Sequence, residues 1–164
     1  MKSETEEHSE AGSQEKEGGW SELVNIEDAK KKKGPFNNRL GIYQICVVTS
    51  SGQPIPICRL AGVDKLGVLY IGRSGYNANR SIANRIREFS QQKHSGGITY
   101  TKAKQVLETI PQLAGHCLQV RAKFLSSQEI KEAELCALNE YFSKYAELPP
   151  CNSARPKSNA DEGN

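Results

Sequence analysis

Between Gly67 and Phe89 the chain reads GVLYIGRSGYNANRSIANRIREF, and its period changes inside those residues. The run that ends at Gly72-Arg73 is apolar, β-branched and aromatic, which is the pattern of a short buried strand. Ser74 to Asn79 supply the Gly and Asn that tight turns favour. At about 100° per residue, Ile82, Ile86 and Phe89 then fall in one narrow stripe, which predicts a helix from about Asn79 to Gln92 with that stripe buried. A strand that hands on through a short turn to an amphipathic helix has to pack that helix against its own sheet. Arg85 lies roughly 60° off the stripe, so it is placed to reach over the sheet edge, while Arg80 and Arg87 point away, towards solvent or nucleic acid. A strand that delivers Tyr70 and Arg73 to a turn, with Arg85 brought back by the helix, is a device suited to holding a phosphate.

The rest of the chain supplies partners for this unit. Leu40 to Thr49 (LGIYQICVVT) is dominated by β-branched and aromatic residues and predicts a strand, closed by the turn signal at Ser50 to Pro54. The connection to Gly67 has room for a further short strand at Ile57 to Leu60. Paired as an antiparallel hairpin, the strands over 40–49 and 67–73 can hold Tyr43 and Tyr70 on one face, because side chains alternate with period two. His94-Ser95-Gly96-Gly97 breaks the chain, and a helix is expected over 100–109, stopped before Pro111. Leu118, Val120, Ala122 and Phe124 alternate with polar residues, as in a strand with one face covered. Ser126 to Glu129 forms a capping-box sequence for a last helix reaching about Tyr145. The expected fold is a small α+β domain over residues 40–152, a three-stranded, mostly antiparallel sheet flanked by helices.

With 164 residues, of which 37% are hydrophobic, there is material for one domain of ordinary size. Residues 1–19 are acidic and nearly devoid of large apolar side chains, so they are expected to be a disordered tail, as is 153–164. Residues 20–39 form an arm, with Trp20, Leu23, Val24 and Ile26 able to dock and Lys30, Lys31, Lys32 and Lys33 in one run before Gly34-Pro35. That run is either a solvated linker or a basic arm tracking a phosphate backbone. No apolar run approaches the roughly 20 residues a membrane helix needs, and no signal-peptide core opens the chain; an intracellular location, cytoplasm or nucleoid, is expected. Cys46, Cys58, Cys117, Cys136 and Cys151 form neither a CxxC pair nor a Cys/His cluster and are expected to be reduced; a Cys46 to Cys58 bridge is conceivable across a hairpin but nothing requires it.

The last helix carries an acid on its apolar side. Ile130, Ala133, Ala137, Leu138 and Tyr141 make the stripe, and Glu134 falls inside it. A buried carboxylate costs several kcal/mol unless it meets a cation or a set of donors. Two readings follow: an ion pair with Arg85 or another arginine, or a ligand for Mg²⁺, which is held by one or two carboxylates together with phosphate oxygens and waters.

Gly41-Ile42-Tyr43 and Tyr70-Ile71-Gly72 are the two motifs that give the GIY-YIG nucleases their name, and the chain resembles that family from Gly41 to Asn152. The resemblance continues in Asn84-Arg85-Ile86-Arg87, in the helix Glu134 to Tyr141, in Asn152 following a proline, and in Arg73 where the family often has lysine. It departs in three places. The connection from Tyr43 to Tyr70 is long, like that of restriction-type members with an elaborated hairpin. The interval from Glu134 to Asn152 is longer than in excision-repair members. Phe89 stands where many members carry Tyr or His, so its help at the phosphate is absent or comes from elsewhere, with His94 a candidate.

The resemblance implies a metal-dependent DNA endonuclease using Mg²⁺ or Mn²⁺, of restriction, repair or branch-cutting, or mobile-element type. Its catalytic residues would be Tyr43 as general base, Tyr70 orienting the water or phosphate, Arg73, Arg85 stabilising the transition state, and Asn152. Glu134 would hold the metal, and Lys30 to Lys33, Arg80 and Arg87 would contact DNA. The rivals are a module of the same fold that binds nucleic acid without cutting, and an adaptor that docks a protein through the Trp20 arm. Folded back over the lysine run, the acidic tail would compete with phosphate for it. Removing residues 1–19 is therefore expected to tighten nonspecific DNA binding and steepen its salt dependence in an anisotropy titration. Unchanged affinity and slope would leave Lys30 to Lys33 as a linker.

Overall fold

A computed structural model describes residues 19–91 and 115–153, together with 101, 103–105, 107–109 and 111–113. The acidic tail, the segment containing His94 and the last residues lie outside these. In chain order the elements are β1 (Val24–Asn25), α1 (Ile26–Ala29), β2 (Gly41–Val48), β3 (Ile57–Arg59), β4 (Gly62–Asp64), β5 (Val68–Arg73), a 3₁₀ turn (Ala78–Arg80), α2 (Ile82–Ser90), a second 3₁₀ turn (Pro111–Leu113), β6 (Cys117–Phe124) and α3 (Ile130–Tyr145). Of the helix expected over 100–109, residues 101, 103–105 and 107–109 are helical.

The main sheet has the order β1-β6-β2-β5, with every pairing antiparallel. The class is α+β, as expected, but the sheet has four strands rather than three. The added edge strand comes from the segment expected to be an arm docking on the domain. Val24 and Asn25 pair with Val120 and Gln119 of β6, and Ile26, Ala29 and Phe36 are buried with the core. The apolar residues of 20–39 thus have more to gain inside the domain than beside it. A second small sheet, β3 with β4, accounts for the long connection. It is tied down by Asp64, whose buried carboxylate accepts from Leu66 N, Val68 N and the Tyr141 hydroxyl at 3.0, 2.8 and 2.9 Å.

The sheet is covered on both faces. On one lie Tyr43, Ile45 and Val47 with Ile82, Ile86 and Phe89 of α2, and on the other Cys46, Val68 and Ile71 with Leu138, Tyr141 and Tyr145 of α3. A register shift at Ile45/Cys46 lets consecutive residues Leu69 and Tyr70 both join the α2 side. All five cysteines are free, and burial pushes the Cys46 thiol up to about 12. The helix α2 starts later than expected, at Ile82, because the Ser81 hydroxyl accepts from Asn84 N and caps it there. At α3 the capping box is half made: Glu129 accepts from Ser126 N at 3.0 Å, while the serine hydroxyl also donates to that carboxylate instead of accepting.

Two glycines set the backbone of the strand pair. Gly41 has φ +146°, and a Cβ there would sit 2.0 Å from the Lys123 carbonyl oxygen, so no side chain fits. A Cβ at Gly72 would stand 2.6 Å from the Tyr70 ring and 2.9 Å from the Tyr43 hydroxyl. Gly72 is the space in which both phenols lie.

Asn152 does a structural task at the edge of β5. Its side chain accepts from Ile71 N and donates to Ile71 O, both at 2.9 Å, as a neighbouring strand would. Cys151 N adds a bond to Leu69 O at 2.9 Å. Asn152→Ala removes two partly buried hydrogen bonds and is expected to lower unfolding stability by about 1–3 kcal/mol. Equilibrium denaturation measures this, and an unchanged midpoint would deny Asn152 that role.

Candidate active site

Tyr70, Arg73, Arg80, Arg85 and Glu134 converge on one cleft of about 420 Å³, together with Ser74, Gly75, Tyr76 and Asn77. It lies where β5 ends, and each wall comes from a different element. Tyr70 and Arg73 belong to β5, and Tyr70 packs with the α2 side of the sheet. The turn after β5 is fixed by Ser74 N donating to Gly41 O at 2.9 Å, Gly41 N donating to Ser74 Oγ at 3.0 Å, and Gly75 N donating to Arg80 O at 2.7 Å. Arg85 comes from the first half of α2, and Glu134 from the second turn of α3 on the far side of the sheet.

Among the described residues Glu134 is the one carboxylate lining the cleft, and Arg73 Nε donates to it at 2.9 Å. Of the two readings of this acid, the ion pair is present, with Arg73 rather than Arg85 as partner. Burial, which disfavours the charged form, outweighs the attraction of Arg73 and Arg85 and moves the Glu134 carboxyl above its ordinary range. Arg85 is paired along its own helix with Glu88 at 2.5 Å.

Tyr43 and Tyr70 share a face, as the alternation predicts, with ring centroids 6.1 Å apart. They differ in access. Tyr70 lines the cleft, whereas Tyr43 is only 2% exposed and lies behind it. Phe89 backs Tyr70 with a near-parallel ring at 6.2 Å and so holds its orientation. Burial raises the Tyr43 phenol well above its usual value, with the Tyr70 charge adding and Arg85 opposing. The Tyr70 phenol also moves up, through burial and then the Glu134 charge, against Arg85 and a hydrogen bond from Tyr43. The expected lowering of these phenols by nearby arginines is therefore outweighed by burial.

The remaining expected residues sit elsewhere. Asn152 bonds the strand backbone, as described. Arg87 is committed to structure: its guanidinium donates to Asn84 and, at 2.5 Å, to the Lys30 carbonyl, tying α2 to the lysine run. Within that run Lys30 pairs with Glu27 at 2.8 Å and Lys31 with Asp28, while Lys32 and Lys33 are exposed. Tyr76, half exposed at the cleft, is the lining residue that periodicity could not single out, because it stands in a turn. No described helix is long and apolar enough to cross a membrane.

No family model matches the chain, and comparison with curated proteins and with solved structures yields no match. What the cleft can do is argued from its own residues.

The folded protein holds the protons of Tyr43 and Tyr70 more tightly than the unfolded chain, which releases them near pH 10. Their contribution to stability is complete below that pH and is lost as pH rises through the folded-state values. Alkaline denaturation is therefore expected to be blunted in Tyr70→Phe. The phenolate absorbance lost in that variant should titrate above pH 10 and move down in Glu134→Gln, where the carboxylate charge is gone. A Tyr70 transition below pH 10 in the wild-type protein would contradict the arrangement.

Proposed function

We propose that the cleft binds a phosphodiester and that the protein is a metal-dependent DNA endonuclease of the GIY-YIG type. The observation that carries this reading is the meeting of Tyr70, Arg73, Arg85 and Glu134, drawn from three elements, in one cleft. Guanidinium groups are matched to phosphate oxygens in shape and charge. Arg85 takes a non-bridging oxygen and stabilises the charge that builds on it as a water attacks phosphorus. Tyr70 faces that space, and in the small fraction of molecules whose Tyr70, raised by burial, has lost its proton to solvent, the phenolate accepts the water's proton as the P–O bond opposite the attack breaks; the leaving oxygen is protonated from solvent. Tyr43, hydrogen-bonded behind it, favours the Tyr70 phenolate. The two tyrosines thereby exchange the roles expected from the resemblance, because the buried one cannot meet water.

A Mg²⁺ or Mn²⁺ ion suits the donors present. Among the described residues no three His, Cys, Asp or Glu side chains gather, and a hard cation bound through one carboxylate, substrate phosphate and waters asks for no more than Glu134. When bound, such an ion supplies positive charge to the phosphate and leaving oxygen.

A second reading has its own support. The Arg73–Glu134 ion pair and the raised phenols are also what a phosphate-binding module that does not cut would have. Incubation of the purified protein with supercoiled plasmid, branched DNA and Mg²⁺ separates the two. Cleavage is expected, with Arg85→Ala slowing it by about 10²–10³-fold while the protein stays folded. Glu134→Gln should abolish metal-dependent cleavage and spare DNA affinity. Because Arg73 is 32% exposed and keeps water, that variant's stability should change by no more than about 1 kcal/mol. Tight binding with no cutting under any divalent ion would overturn the nuclease in favour of the module. Discrete plasmid fragments would point to restriction, and cutting confined to junctions to repair.

A further inference from the structure

Tyr76 is 52% exposed, the one aromatic among the exposed large apolar side chains of the described residues, and it lines the cleft. Burying that ring would be favourable, and nothing in the fold of the domain requires it to stay open. Its position is nevertheless held. The Arg73 guanidinium lies 5.1 Å from the ring centroid, and Arg73 is itself anchored by Glu134. The turn carrying Tyr76 is closed by Gly75 N donating to Arg80 O and Arg80 N donating to Asn77 O at 2.7 and 3.0 Å. At Gly75 the two sides of this turn touch, since a Cβ there would lie 2.4 Å from the Arg80 Cβ. An aromatic face is thus presented on a braced loop beside three guanidinium groups.

We infer that Tyr76 is a stacking platform for the nucleobase next to the phosphate in the cleft, so that the site selects a strand whose base is unpaired and unstacked. The inference rests on the phosphodiester-binding reading of the cleft. Every base has a π-face, and stacking on an aromatic side chain is tolerant of sequence. In a continuous duplex both faces of each base are covered by neighbours. Tyr76 can therefore gain a partner only at a single strand, a flap, a junction or an end, or where a base has been swung out. The arginines grip the backbone of any strand alike, and Tyr76 distinguishes an open strand from a closed one.

The test uses the full-length protein in metal-free buffer with fluorescein-labelled probes: a single strand, the same strand in duplex, and the same strand abasic throughout. Tyr76→Ala is expected to weaken single-strand binding about tenfold to a hundredfold, with duplex binding changed less than about twofold. Tyr76→Trp should retain the single-strand affinity, and wild-type protein should bind the abasic strand as weakly as Tyr76→Ala binds the normal one. The salt slope should not change in Tyr76→Ala, because no charge is lost. An undiminished single-strand affinity in Tyr76→Ala, or an equal loss on all three probes, overturns the platform. In either case Arg85→Ala tells whether the underlying reading stands: weakened binding to every probe keeps the phosphate site, and no effect removes it as well. Wild-type protein that binds none of the probes at low salt overturns both.

Discussion

The antiparallel pairing of β2 with β5, in the register that sets Tyr43 opposite Gly72, is the contact on which the site depends. A residue larger than glycine at 72 would meet both phenol rings, so their shared space exists only because that position has no side chain. Gly41, near the same end of that pairing, brings β2 against the Lys123 carbonyl and bonds the Ser74 hydroxyl. A slip of one residue would turn every side chain of β5 to the opposite face. Tyr70 would leave Phe89, and Arg73 would leave Glu134. The register therefore positions the cleft residues as much as it positions the core.

Because the cleft opens at the end of an outer strand, it draws on both faces of the sheet. Tyr70 and Arg85 come from the α2 side, and Glu134 from α3 on the other. A site in the middle of either face would have had only one helix to recruit from. The position has an electrostatic cost. Burial raises the proton affinity of Tyr43, Tyr70 and Glu134 together, and the Glu134 charge raises both phenols further. Arg85 is the cation that acts on all three, which makes it the electrostatic centre of the cleft.

An outer strand also needs its free edge managed. Here Asn152 and Cys151 supply bonds to Ile71 and Leu69, and on the far side of the sheet the segment around Val24 covers β6. Both devices come from the ends of the domain. They hold β5 and β6 in place without a fourth long strand, and they leave the cleft end of β5 open.

Much of this was legible in the chain because it is local. The periods of 3.6 and 2.0 set α2, α3, β2, β5 and β6 to within a few residues, the Gly/Asn turn set the bend between β5 and α2, and helical angle alone separated Arg85 from Arg87. Glu134 was visible as an acid on an apolar stripe. What the sequence could not decide was pairing between distant residues. Two residues at Val24–Asn25 are too few to show a strand's alternation, and they became one only because β6 offered unpaired backbone groups. The partner of Glu134, the burial of Tyr43 behind Tyr70, the turning of Arg87 onto the Lys30 carbonyl and the exposure of Tyr76 all depend on which elements meet. The sequence by itself determined which tyrosines, arginines and acid were candidates for a site and on which elements they ride. Tertiary structure decided which of them share a cleft, since a side chain's solvent access and charge environment belong to the packing around it and not to its own segment.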